Sequence, residues 1–235
     1  MKCTAIVLAA GQGKRMGART AKQYMELNGY PVLYYSLKAF QESFVDEIVL
    51  VTAASEIEYC QREIVGRYGF GKVGAIVSGG KERYHSVYQG LIAASSDTNY
   101  VFIHDSARPC LAQDILKRAF ETVQKYHVAI VSMPVKDTIK IADEDGFVVS
   151  TPKRSSLYLM QTPQVFDFQP IKKAYEKLLA REEEALASGL EITDDAMVME
   201  EFGDYPIRLC EGSYRNIKLT TPEDLRVVSE YLKEL

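Results

Sequence analysis

At 235 residues, with 47% apolar and 26% charged residues, the chain has ordinary globular composition and is long enough to bury a core without disulfide or metal staples. Its 28 Lys and Arg against 32 Asp and Glu give a net charge of −4, which argues against a dedicated nucleic-acid binder. The longest apolar stretch, residues 5–10, is far too short for a membrane span, no signal-peptide pattern opens the chain, and Cys3, Cys60, Cys110 and Cys210 form no C-x-x-C pair, so a soluble cytoplasmic protein is expected.

The first half alternates strand-like and helix-like segments. Apolar runs of strand length fall at 4–9, 47–52, 73–77, 100–104 and 129–133, and helical spacing falls at 32–40, 55–67, 86–94 and 113–126. Near-continuous apolar strands separated by helices predict an α/β fold with a mainly parallel sheet covered on both faces. From Pro134 onward the pattern changes. Short strands at 139–141 and 147–150 flank Glu144-Asp145-Gly146, a turn signal, and predict a hairpin. Such a hairpin either packs on a partner chain or stands as a solvated surface feature. Residues 170–188 then read as one charged amphipathic helix, with Glu182–Glu184 on a solvated face. Thr193 and Thr221 are the N-cap candidates for two more helices, the second followed by Pro222 and two acids. With no repeat and no linker, one domain over 1–235 is expected, carrying a β-arm at about 134–160.

The most informative segment is Leu8-Ala9-Ala10-Gly11-Gln12-Gly13-Lys14-Arg15-Met16-Gly17. A glycine-rich turn directly after a first strand lets backbone amides approach a phosphate. Its spacing is neither the dinucleotide G-x-G-x-x-G nor a P-loop, and Lys14, Arg15 and, farther on, Lys22 bring three positive charges to where a triphosphate would sit. A second open loop, Ser78-Gly79-Gly80-Lys81-Glu82-Arg83, follows another strand. His104-Asp105-Ser106-Ala107-Arg108-Pro109 ends a third, with an acid placed to hold Mg²⁺ against phosphate oxygens. Lys136 and Lys140 with Lys153 and Arg154 flank the hairpin, and Arg215 and Lys218 lie near the C-terminus. An acidic chain that gathers its cations beside strand ends points to a highly anionic small molecule as ligand. His85, His104 and His127 lack metal-ligand spacing, and no serine sits in a nucleophile elbow.

Together LAAGQGKRMG, KQY, SGGKERYHSVYQGL, HDSARP, PVKDTIK, QTPQVF, TDDA and NIKLTTPEDL resemble, in order and over nearly the whole chain, the 2-C-methyl-D-erythritol 4-phosphate cytidylyltransferase family of the non-mevalonate isoprenoid pathway. The resemblance implies a Rossmann-like nucleotidyltransferase fold, CTP and a polyol phosphate as substrates, a divalent cation such as Mg²⁺, and a homodimer joined through the arm, with no nucleic-acid or membrane partner. By the same resemblance Arg15, Lys22, Arg154 and Lys218 are catalytic. Ala9, Ala10, Gly11, Gly13, Lys14, Gly80 and Ser86 bind the nucleotide. Asp105, Arg108, Thr138 and Thr162 bind substrate, Asp105 also holds the metal, and Thr138, Arg154 and Thr162 reach across from a second subunit. Ribitol-5-phosphate cytidylyltransferase, which shares most of these segments, and a nucleotide-binding protein without turnover are the alternatives. Two positions depart from the family pattern: Ala21 stands where proline precedes the lysine, and Lys81 where some members carry an acid.

Overall fold

The computed structural model describes residues 1–11 and 21–234. Seven strands form the central sheet: β1 (Lys2–Leu8), β4 (Glu47–Thr52), β5 (Val73–Ser78), β6 (Thr98–Asp105), β7 (Val128–Pro134), β10 (Tyr158–Asp167) and β11 (Arg208–Glu211). Their order is β5-β4-β1-β6-β10-β7-β11, and β10 alone runs antiparallel to its neighbours. Two small pairs lie apart from it, β2 (Glu26–Leu27) with β3 (Tyr30–Pro31), and β8 (Ile141–Ala142) with β9 (Val148–Ser150).

Strand alternation explains why helices cover both faces. On β1, Cys3, Ala5 and Val7 face one way and Ile6 the other. On β4, Ile48 and Leu50 oppose Val49 and Val51. The first face packs on α1 (Val32–Gln41), α4 (Gln113–Tyr126) and the helical turn at Cys60–Gly66, through Leu33, Leu37, Phe40, Cys60, Ile64, Ile115 and Leu116. The second packs on α3 (Arg83–Ala93), α5 (Phe168–Ala180) and α7 (Asp195–Phe202), through Val87, Leu91, Ile171, Tyr175 and Met199. A smaller cluster of Leu27, Val32, Ala107, Leu219 and Val228 seats the C-terminal helix α8 (Pro222–Leu232). Thr221 and Asp224 cap α8 reciprocally, as its sequence predicts.

Several elements differ from the sequence reading. The helix expected at 55–67 is a 3-10 turn, the short α2 (Ile57–Tyr59) and a π-helical stretch at Cys60–Gly66, which turns Cys60, Ile64 and Val65 inward. α3 starts at Arg83 rather than Ser86, because Glu82 caps it: the Glu82 carboxylate accepts the His85 amide, and the Glu82 amide donates to His85 Nδ1 at 3.2 Å. The helix read over 170–188 breaks at Arg181 into α5 and α6 (Glu182–Ala187), and Glu182, far from simply solvated, accepts the Tyr84 hydroxyl at 2.6 Å. Asp194, not Thr193, caps α7, accepting the Met197 amide at 3.0 Å. The hairpin forms around Gly146, whose φ of +86° suits glycine in the turn. Its strands are only two and three residues long, and Ile139 lies outside them.

Register fixes what the strands present. Leu8 at the end of β1 lies opposite Val51 of β4 and Asp105 of β6, so the loops after β1, β5 and β6 leave one edge of the sheet. The chain runs outward from β1 to β4 and β5, then returns to β6 on the other side. The crevice at that reversal is where open α/β sheets hold ligands. Close packing behind it requires Gly90 of α3, where an added Cβ would lie 2.5 Å from Ile6 Cγ2 and 3.2 Å from Val51 Cγ2. Alanine would gain about 1 kcal/mol of helix propensity, yet overpacking costs about 1–3 kcal/mol. Gly90→Ala is therefore expected to lower stability in a denaturant titration, whereas a gain would show that α3 slides freely over β1.

Candidate active site

A cleft of about 520 Å³ opens at this reversal, lined by Leu8–Gly11, Lys22, Gln23, Gly80–Arg83, Ser86, Asp105–Ala107, Lys218 and Thr220. Its floor is backbone held from below. The Ala9 amide donates to Val51 O at 2.6 Å, and Gln23, itself buried, donates through Nε2 to Ala9 O at 2.6 Å and Gly11 O at 3.0 Å. Gln23 was not singled out from sequence, although it sits within the KQY motif. Beside this loop lies the turn after β5. A Cβ on Gly79 would stand 2.6 Å from Ala10 Cβ, so the two loops meet because this position is glycine, and one on Gly80 would collide with His85, so the turn closes onto α3 for the same reason. The Gly80 amide donates to Ser86 Oγ at 3.1 Å, which makes Ser86 a brace for this loop.

The charged wall is built by Asp105, Arg83 and Lys218. Lys218 Nζ donates to Asp105 Oδ2 at 2.6 Å, and Arg83 Nε donates to Asp105 Oδ1 at 3.3 Å. Burial would raise the Asp105 pKa, but the two cations outweigh it and hold the carboxyl well below the usual range. Burial likewise works against the Arg83 charge, and Asp195 and Asp105 reverse that, keeping the guanidinium charged. Asp195, which the sequence placed merely in the first turn of a helix, is fully buried and takes both Arg83 terminal nitrogens at 2.8 Å. Two adjacent acids in TDDA were the available signal. Lys22 donates to Leu219 O at 3.0 Å, tying the first loop to the Lys218 segment. Among the described residues four cations (Lys22, Lys81, Arg83, Lys218) line the cleft with two acids, Glu82 and Asp105.

Of the residues expected at the site, Ala9, Ala10, Gly11, Lys22, Gly80, Ser86, Asp105 and Lys218 come together here. Gly13, Lys14 and Arg15 lie outside the described residues. Arg108 does not line the cleft; it is a strut, donating to Asn216 O at 2.8 Å and Met160 O at 3.1 Å. Thr162 belongs to the sheet rather than the hairpin. It is 5% exposed, accepts the Asp105 amide at 3.1 Å and meets His104 Nδ1 at 3.0 Å, so its hydroxyl acts under the cleft of its own chain. Thr138 and Arg154 lie in the exposed hairpin segment away from the cleft, Arg154 donating to Lys136 O at 3.1 Å. Ala21 has φ −60° and ψ 138°, a conformation proline would adopt, so the entry to Lys22 keeps its shape without the ring.

The sequence matches the IspD family, 2-C-methyl-D-erythritol 4-phosphate cytidylyltransferase, over residues 3–234. The chain belongs to this family. Relatives bearing that name include one from Lachnospira eligens, 51% identical over 98% of this chain and 99% of its own, and one from Lachnoclostridium phytofermentans, 47% identical over 99% and 97%. Among solved structures, the 4-diphosphocytidyl-2C-methyl-D-erythritol synthase of Anaerococcus prevotii superposes with a TM-score of 0.84 at 33% identity, covering 99% of this chain and 96% of that one. Family membership carries the nucleotidyltransferase class and the isoprenoid pathway with it, and does not favour the ribitol phosphate alternative. Among the described residues no helix is long and apolar enough to cross a membrane, and no three His, Cys, Asp or Glu side chains gather as metal ligands.

Beneath Asp105 the bonding order is set by its acceptors. Arg108 O can only accept, so His104 Nε2 carries the hydrogen that spans 3.1 Å to it. Nδ1 then accepts from Thr162, which accepts from the Asp105 amide. Burial pushes the His104 pKa from 6.5 down to about 4. Between those values the unfolded chain binds a proton that the folded chain refuses, so stability falls as pH is lowered from about 6.5 to about 4. The loss amounts to about 3 kcal/mol. An NMR titration is expected to place the His104 midpoint near 4; a midpoint near 6.5 would contradict the network.

Proposed function

We propose that this chain transfers CMP from CTP to 2-C-methyl-D-erythritol 4-phosphate, forming 4-diphosphocytidyl-2-C-methyl-D-erythritol and releasing pyrophosphate. The observation that carries the reading is the ionised Asp105 held between Arg83 and Lys218 at the mouth of a cationic, glycine-floored cleft. An acceptor phosphate oxygen attacks the α-phosphorus, the bond to the bridging oxygen breaks, and pyrophosphate leaves. A phosphate monoester has its second pKa near ~6 and is largely dianionic at neutral pH, so no general base is required. The cleft accords with this: the neighbouring imidazole, His104, is buried and neutral.

Catalysis then rests on position and charge. Lys22 and Arg15 neutralise the charge that grows on the transferring phosphorus and the leaving pyrophosphate, while Lys14 and the amides near Gly11 and Gly13 hold the outer phosphates. The close-set loops at Ala9–Ala10 and Gly79–Gly80, braced by Ser86, offer backbone groups that would read the amino and keto edge of cytosine. Lys218 meets the acceptor phosphate. Asp105 would hold Mg²⁺: the neighbouring cations keep its carboxyl ionised at neutral pH, and Mg²⁺ commonly takes one or two carboxylates with waters and substrate phosphates completing its shell. When bound, the cation would neutralise phosphate charge there.

The hairpin supplies the reading of a homodimer with composite sites. Phe147, Val148 and Val149 are 72%, 60% and 65% exposed, more apolar surface than an isolated two-stranded ribbon can cover, and Thr138 and Arg154 accompany them. Four buried, unpaired cysteines suit a reducing cytosol.

With CTP and Mg²⁺, pyrophosphate release is expected to favour 2-C-methyl-D-erythritol 4-phosphate over ribitol 5-phosphate by roughly 100-fold or more, a discrimination of about 3 kcal/mol. Comparable turnover of ribitol phosphate would move the chain to the other substrate. Lys218→Ala should lower kcat/KM by about 10²–10³, the scale for removing one charge-stabilising donor. Mixing Arg15→Ala with Arg154→Ala chains should restore activity, since each heterodimer regains one intact site; heterodimers without activity would refute sharing across subunits.

A further inference from the structure

Asp195 is a carboxylate with no exposed surface at the first turn of α7, outside the cleft. Burying it is costly unless it is fully paired. Its oxygens take both terminal nitrogens of Arg83 at 2.8 Å, and Oδ1 also accepts the Tyr175 hydroxyl at 2.5 Å. The helix start that carries it is anchored to the sheet. Gln164 of β10 accepts the Ala196 amide at 2.9 Å and donates to Asp194 Oδ2 at 2.8 Å. Two residues earlier on the same strand, Thr162 accepts the Asp105 amide. One strand therefore references both acids that share Arg83.

The sharing is unequal in a way that matters. The end of the guanidinium, one hydrogen from each terminal nitrogen, is taken by Asp195, so that Arg83 meets Asp105 Oδ1 through Nε while Oδ2 accepts Lys218. An arginine fork frequently meets a carboxylate bidentately. Without Asp195, the Arg83 fork would turn on Asp105, take both oxygens and displace Lys218. We propose that Asp195, supported by Tyr175, is a positioning residue for the transferase reaction: by occupying the Arg83 fork it reserves one Asp105 oxygen for Lys218 and fixes the wall against which the acceptor and α-phosphates meet. This rests on the function proposed above. It differs from a purely structural tie between α7 and α3 in predicting an effect that travels through Asp105.

The experiment is a double-mutant cycle with Asp195→Asn and Asp105→Asn, read by steady-state kinetics, beside a crystal structure of Asp195→Asn. In the wild-type background Asp195→Asn is expected to lower kcat by about 10- to 100-fold, the scale of a misplaced reacting group, while the KM for CTP moves less than about threefold. In the Asp105→Asn background the same change should cost less than about twofold more, because its route is already cut. Losses that multiply across the cycle would overturn the proposal. Since Asp195→Asn leaves Arg83 poorly paired, at a cost to folding, Tyr175→Phe, which keeps both charges, is measured alongside. It should lower kcat by roughly threefold with CTP affinity unchanged, and an unaltered kcat would count against the proposal. The crystal structure decides independently of turnover: Arg83 turned toward Asp105 with Lys218 displaced supports the mechanism, and both residues unmoved refutes it. A wild-type protein with no pyrophosphate release would instead overturn the functional reading, leaving the structure to judge this one.

Discussion

The cleft depends on one constraint, the need to pair a carboxylate that is almost wholly buried at the end of a central parallel strand. Asp105 is 8% exposed, and its two oxygens are met by residues 22 positions before it and 113 after it. Neither cation can arrive unless α3 and the segment before α8 have docked. A lone buried charge would cost several kcal/mol, so a chain with either segment displaced is penalised at this point. Completing the fold and completing the charged wall are thus one event. The Lys218 segment is held from both sides: Leu219 is fully buried with Val228 and Ala107, and its carbonyl accepts Lys22.

The antiparallel strand β10 is the second structural necessity, and it follows from the first. Asp105 needs its backbone fixed as well as its side chain, and the adjacent strand must offer a hydroxyl at that level. β10 does so with Thr162, at a place where its pairing with β7 skips from Met160 to Gln164 and accommodates Pro163. The irregularity aims Thr162, and through it His104 and Arg108, at the underside of the cleft. Arg108 then links the loop after β6 to Met160 and Asn216, closing a ring of contacts around the acid.

Much of this was legible in the sequence, for identifiable reasons. The strands at 47–52 and 73–77 and the helices at 32–40 and 113–126 carry strong periodicity, and they stand where periodicity puts them. The glycine loops were visible because close backbone approach demands glycine, and the cations because an acidic chain has few reasons to gather them. β10 was not legible. Its Gln-Thr-Pro-Gln stretch is polar and holds a proline, which reads as a break, although burial between two strands makes it central. Asp195 was hidden for a related reason: an acid after a cap is ordinarily a solvated helix-start residue, and only the tertiary arrival of Arg83 makes it internal. Arg108 and Thr162 were placed at the substrate by resemblance, but local sequence could not tell that the Arg108 terminal nitrogens reach Asn216 O and Met160 O or that the Thr162 hydroxyl accepts the Asp105 amide.

The two substrates, on the proposed reading, are received by surfaces of different physical character. Among the described residues the nucleotide side is made of strand ends, glycine contacts and buried pairs. Thr138, assigned to the acceptor with Arg154, stands instead on a segment exposed from 136 to 150, and Arg154 lies just beyond it, with ties such as the Lys136 ammonium 3.4 Å from the centre of the Tyr214 ring. Rigidity suits the half that must align a phosphorus for in-line attack, since a misplacement of 1 Å there costs about 10²-fold in rate. In the proposed homodimer a partner would cover Phe147 and Val149, and acceptor binding would then draw on both subunits. The Asp105 wall lines the cleft, and its geometry is set in part by Asp195 and Tyr175, which lie outside it.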